Sequence, residues 1–156
     1  MDSPLFDMKR VVITGLGLVT ALGNDVPTCW TNLIAGKSGA GAITHFDSSK
    51  FKTHFACEVK DLDVSNLFDP KELRRYDRYI HLAVKSTEEA INNADLHIQQ
   101  EDPLRCGVIY GSGMGGVKTL DTNIGEFGAG DGIPRYSPFF IPMIITNMAA
   151  GMLAIR

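Results

Sequence analysis

Three cysteines, two glycine clusters and a short run of basic residues are the parts of this 156-residue sequence equipped for chemistry. A cysteine nucleophile needs its thiolate stabilised by a helix N-terminus or a neighbouring base. Cys29 precedes Trp30 on an expected helix, Cys57 lies in the strand-like FACEV, and Cys106 opens CGVIY. All three contexts predict small buried hydrophobes. The cysteines are widely spaced, with no C-x-x-C pair and no clustered histidine, so the sequence predicts neither a disulfide framework nor a zinc site. No catalytic residue, metal ligand or cofactor is assigned, and a reducing cytoplasm is expected.

The glycine clusters raise a different chemistry. Gly111, Gly113 and Gly116 satisfy G-x-G-x-x-G between the apolar run Arg105 to Tyr110, read as a strand, and an expected helix at Val117 to Phe127. That is the arrangement of a dinucleotide-binding turn, whose glycines let backbone approach a pyrophosphate. The acidic residue expected about twenty positions later falls at Asp131, inside the loop GAGDGIP rather than at a strand end. The earlier pair, Gly15 and Gly17, follows the apolar Val11-Val12-Ile13, read as a strand covered on both faces, and is expected to bend the chain sharply. There the third glycine of the fingerprint is missing, because Thr20 occupies its place.

The basic run is Lys71, Arg74, Arg75 and Arg78, whose spacing forms one ridge on a helix. A solvated face and a docking patch for an acidic partner are both open at this point.

These groups need elements to position them, and the pattern alternates strands with helices. Asn24 or Asp25 caps a helix over Pro27 to Ala35, with Trp30, Leu33 and Ile34 inward and Gly36 at its end. A short strand is expected at Phe55 to Val59. Asp69, Pro70 and Glu72 form a capping signal for a long helix. Its apolar stripe runs through Leu73, Tyr76, Ile80, Ala83 or Val84, Thr87, Ile91 and Ala94. Pro138 and Pro142 precede a continuous apolar helix, Met143 to Ile155, too short to span a membrane comfortably and apolar all round, as inside a larger core.

With 44% apolar residues the chain can bury one core. A formal charge of −3 gives no global attraction for nucleic acid or an anionic membrane. Lys9-Arg10 followed by an apolar stretch loosely imitates a signal peptide, but Asp2 and Asp7 oppose that, and the strand reading is preferred. Residues 1–8 are expected to be an extension, with Met8 a possible native start, and 9–156 one domain.

Taken together, RVVITGLGLVTALGN (10–24), LIAGKSG, THFDSSKF, GSGMGG (111–116) and SPFFIPMIITNMAAG (137–151) resemble the β-ketoacyl-acyl carrier protein synthases, most closely those of type II fatty-acid elongation. The resemblance implies the N-terminal part of a thiolase-like layered α/β fold, ending before the family's nucleophilic cysteine and histidines, so this segment alone is expected to be inactive. It implies decarboxylative condensation of malonyl-carrier with an acyl chain by a cytoplasmic homodimer, with acyl carrier protein as partner and neither nucleic acid nor membrane. By resemblance Lys71, Arg74 and Arg75 dock the carrier; Arg135, in the Pro134-Arg135-Tyr136 loop, is expected to join them as a further basic residue, while Arg78 rests on helical spacing alone. Met114 corresponds to a gate of the acyl pocket. Phe140 and Ile141 line the neighbouring subunit's channel, a plain core role being the alternative. A dinucleotide-binding reductase fragment and a non-catalytic carrier-binding module remain as other readings of the whole.

Overall fold

The computed structural model describes residues 10–156; the expected extension 1–8 and Lys9 lie outside the described residues. In chain order come α1 (Val26–Ile34), β1 (Gly41–Ala42), β2 (Phe55–Ala56), α2 (Arg78–Asn93), α3 (Val117–Ala129), α4 (Phe140–Ile144) and α5 (Met148–Ile155), with 3-10 turns at Glu72–Arg74 and Ile98–Gln100. β1 and β2 pair antiparallel with Gly41 opposite Ala56 and Ala42 opposite Phe55, so the expected strand at 55–59 shortens to two residues.

The core lies where α2 crosses α5. Ile80, Ala83 and Val84 of α2 are buried against Ala149 and Met152 of α5 and against Val64 and Phe68. Full burial of a side chain the size of Ile80 contributes roughly 1.5–3 kcal/mol. The predicted apolar stripe therefore finds its partner, but the helix beginning does not lie where the capping signal put it. Asp69 Oδ1 does accept from the amides of Lys71 (2.6 Å) and Glu72 (2.8 Å), and Glu72 Oε2 accepts from Asp69 N–H (3.0 Å). That box opens only the 3-10 turn Glu72–Arg74. Asp77, in extended backbone, caps α2 through the Tyr79 amide and restarts the helix.

α1 is capped by Asp25, whose Oδ1 accepts from Thr28 N–H at 2.7 Å. Asn24 instead donates to the carbonyls of Lys60 (2.8 Å) and Asp61 (3.1 Å), pinning the turn at Asp61. Contrary to expectation Trp30, Leu33 and Ile34 are exposed, and Cys29 is the buried residue of α1. Trp30 and Leu33 line an open apolar groove with Leu16, Leu18 and Leu22.

The two expected buried strands are also corrected. Val11 is 92% and Ile109 103% exposed, and neither 11–13 nor 105–110 joins a ladder. A strand is completed by neighbours that satisfy its amides and carbonyls, and among the described residues no strand lies beside either run. Residues 15–18 are held by side chains of α2. Asn93 Oδ1 accepts from Leu16 N–H (2.9 Å) and Glu89 Oε2 from Leu18 N–H (2.8 Å), while Glu89 Oε1 accepts from Val26 N–H (2.6 Å). Gly15 and Gly17 are needed for this approach, because a Cβ would overlap the α2 backbone at Ala90 and Ser86 respectively. They are spacers against a helix and have no positive φ to make a sharp bend.

His81 sits edge-on to Phe68, ring centroids 4.9 Å apart, and its Nε2 is buried with no hydrogen-bond partner among the described residues. Desolvation lowers its pKa, with Asp77 opposing and Arg78 reinforcing the shift. The unfolded chain then binds the proton more readily than the folded one, so stability is full above the ordinary histidine pKa and falls as pH drops through it. Chemical unfolding of the full-length protein across that range should show a flatter acid limb for His81→Leu than for the parent; identical limbs would place the titration elsewhere.

Candidate functional site

The second glycine cluster is a turn pressed against backbone. Ser112 Oγ accepts from Gly115 N–H at 3.0 Å. Gly115, at φ +63°, lies on the Ile144 carbonyl, and Gly116 lies on that of Met143, where any Cβ would collide. Gly116 N–H donates to Ile144 O at 3.3 Å and then opens α3. The contact explains why the apolar helix expected at 143–155 is broken. The chain extends at Ile145 (ψ 135°), and two carbonyls there meet distant donors: Gly116 N–H takes that of Ile144, and the Tyr79 hydroxyl takes that of Ile145 at 2.5 Å, a carbonyl that Met148 N–H also reaches at 3.3 Å. Burial, then the charge of Asp77, raises the Tyr79 pKa and keeps it a protonated donor.

Met114 stands on this turn, 71% exposed, and Phe140 and Ile141 stand on α4. The two segments meet backbone to backbone and form one assembly that carries Met114, Phe140 and Ile141. Ile141 is exposed, whereas Phe140 is half-buried and stacks on Tyr136 (5.0 Å), which in turn leans on Phe127 of α3 (6.4 Å).

Lys71, Arg74 and Arg75 are exposed on and beside the 3-10 turn, not along α2. The Arg75 guanidinium lies 4.9 Å over the ring of Phe139, next to α4, which joins the basic group to the same assembly. Arg78 leaves the ridge: it turns inward and donates to Val59 O at 2.8 Å. Arg135 grips Asp131 through both terminal nitrogens (3.0 and 2.7 Å), which holds the Asp131 carboxyl below its ordinary pKa and offsets the charge Arg135 could offer a partner.

Residues 8–156 match the family described as Beta-ketoacyl synthase, N-terminal domain. The 3-oxoacyl-[acyl-carrier-protein] synthase 2 of Synechocystis sp. is 44% identical over 96% of this chain, and that of Coxiella burnetii 43% over 96%. The chain belongs to the β-ketoacyl synthase family. It spans about a third of those two relatives, 36% of each. Among solved structures, the ishigamide ketosynthase/chain length factor superposes with TM-score 0.77 (25% identity; 92% of this chain, 36% of that one). A β-ketoacyl synthase from Burkholderia phymatum gives 0.76 (25%; 95% and 36%). A type II polyketide ketosynthase in complex with its acyl carrier protein gives 0.69 at 21% identity (95% and 38%). The fold is accordingly thiolase-like α/β, of which these residues form an N-terminal part.

Family membership replaces the dinucleotide reading of the glycine turn. In this ketosynthase segment the last glycine of the motif packs on residues 143–144. Of the cysteines, Cys29 is buried as expected, its thiol donating to Gly23 O (3.1 Å) and lying 3.1 Å from Thr20 Oγ1. Cys57 and Cys106 are exposed, against expectation. Cys106 shares the exposed run 105–109, and Cys57 follows the two-residue strand β2, so neither has a layer above it. Sequence reasoning missed Asp77, Tyr79 and Thr119, which tie the site together. Asp77 carried one signal, being a cap-type residue three positions before the stripe residue Ile80.

Proposed function

We propose that the full-length protein is a 3-oxoacyl-[acyl-carrier-protein] synthase of fatty-acid biosynthesis, with residues 9–156 the N-terminal part of its ketosynthase domain. The observation that carries this reading is the joining of an exposed cationic group, Lys71, Arg74 and Arg75, to the Met114, Phe140 and Ile141 assembly through the Arg75–Phe139 stack. The cationic group suits an acidic carrier, and the apolar assembly suits the acyl chain it delivers. A neighbour of the same fold is described in complex with its acyl carrier protein, which supports that partner.

The reaction runs in three balanced steps. A cysteine thiolate attacks the carrier thioester, forming an enzyme thioester and releasing the carrier thiol. Malonyl-carrier loses carbon dioxide to give an enolate, whose oxyanion needs hydrogen-bond donors. The enolate carbon attacks the enzyme thioester and expels the cysteine, leaving a β-ketoacyl carrier two carbons longer. In this segment's share of the work, Met114 and Ile141 shape the acyl channel and the basic group holds the carrier. Exposed Val117, Leu120, Ile124 and Phe127 recur along one side of α3, and this apolar stripe supports a homodimer contact. The setting is the cytoplasm.

None of the cysteines of this segment takes the acyl group. Incubating the full-length protein with acyl-carrier and digesting it should place the acyl adduct on a cysteine other than Cys29, Cys57 and Cys106. An adduct on any of those three would overturn the assignment.

A further inference from the structure

Asp77 is the buried charged side chain among the described residues, 8% exposed, and it serves two helices. Its Oδ1 accepts from Tyr79 N–H (3.2 Å) as the cap of α2, and its Oδ2 accepts from the Thr119 hydroxyl (2.5 Å) in the first turn of α3. The cap position of α3 itself is Gly116, which has no side chain to offer. The Asp77 carboxyl carbon lies 3.1 Å from where a Gly116 Cβ would stand, so one carboxylate faces the N-termini of both helices. Each such terminus favours negative charge, and a buried carboxylate requires its hydrogen bonds.

The α3 terminus is also the end of the turn that carries Met114, and two residues beyond Asp77 the Tyr79 hydroxyl holds the break between α4 and α5. The same corner of α2 therefore fixes the glycine turn from one side and the α4 segment from the other. We infer that Asp77, through Thr119, is a positioning residue that sets acyl-chain-length selectivity by fixing the Met114 turn against α4. This rests on the proposed reading that Met114 and Ile141 line an acyl channel.

The two functions of Asp77 separate experimentally. Asp77→Ser keeps a good helix cap but is too short to reach Thr119, and Thr119→Val removes the same bond while leaving the cap intact. In the full-length protein both variants should change the ratio of kcat/KM for long over short acyl primers by about tenfold or more, the scale of one lost hydrogen bond to a charged group. The double variant should go no further than either single one, and Thr119→Ser, which retains the hydroxyl, should restore the parental ratio. Met114→Phe is the control for the underlying reading. If it shifts the ratio while Asp77→Ser and Thr119→Val do not, Asp77 is a helix cap only, and the inference fails with the acyl-channel reading intact. If all three leave the ratio unchanged, Met114 does not line the channel, and both fail together.

Discussion

Replacing Lys71, Arg74 and Arg75 together with glutamate in the full-length protein is expected to raise KM for carrier-linked substrate by about tenfold or more. A single exposed ion pair contributes only about 0.2–1 kcal/mol. Three reversals both remove attractions and introduce repulsions, and the chain's overall charge of −3 supplies no compensating pull on an acidic partner. The loss should fall mainly on association, so the parent's advantage should shrink as salt is added. Arg78 and Arg135 should matter less, since one is turned into the Val59 carbonyl and the other is paired with Asp131. Turnover of a small acyl thioester lacking the carrier should hardly change. Equal losses on both substrates would mean that the Arg75–Phe139 stack is structural and that the basic group does not dock the carrier.

The Met114→Phe variant should slow long acyl primers far more than short ones. Methionine is unbranched and adopts several rotamers, so it yields to a growing chain where a rigid ring does not. Overfilling such a site costs roughly 1–3 kcal/mol, equivalent to about 5- to 150-fold in kcat/KM. The turn beneath Met114 has little room to give, because Gly115 and Gly116 already touch the backbone of residues 143–144. The strain should therefore fall on the side chain and its ligand. A uniform loss at every chain length would remove Met114 from the channel.

The helices and their apolar faces were legible wherever the partner lies within these residues. The stripe through Ile80, Ala83 and Val84 reads directly from spacing, and its cover, α5, is part of the same sequence. The runs at 11–13 and 105–110 have the composition of buried strands, yet 11–13 and 105–109 are exposed, and Tyr110 alone of these residues packs against the core. Composition reports what a residue is suited to, whereas burial depends on neighbours, and among the described residues no strand lies beside either run. The Asp69 capping box was equally legible and formed as read, but Asp77 competes for the helix start, and local signals do not rank two competing caps.

The site was partly legible for a similar reason. Met114, Phe140, Ile141 and the basic residues Lys71, Arg74 and Arg75 are placed by resemblance to the family's motifs. Their junction is not, because it depends on contacts between distant positions: Asp77 with Thr119, Tyr79 with Ile145, and Arg75 with Phe139. Periodicity likewise ran one helix through 143–155, since nothing local marks Ile145 as the residue whose carbonyl a distant tyrosine takes.

The most direct test of the condensing activity is to supply the full-length protein with an acyl-carrier primer and isotopically labelled malonyl-carrier and to weigh the products. One carbon dioxide released for each β-ketoacyl carrier formed, with the chain two carbons longer than its primer, is the predicted result. Carrier binding with no new carbon–carbon bond would contradict the account and leave a non-catalytic carrier-binding protein in its place.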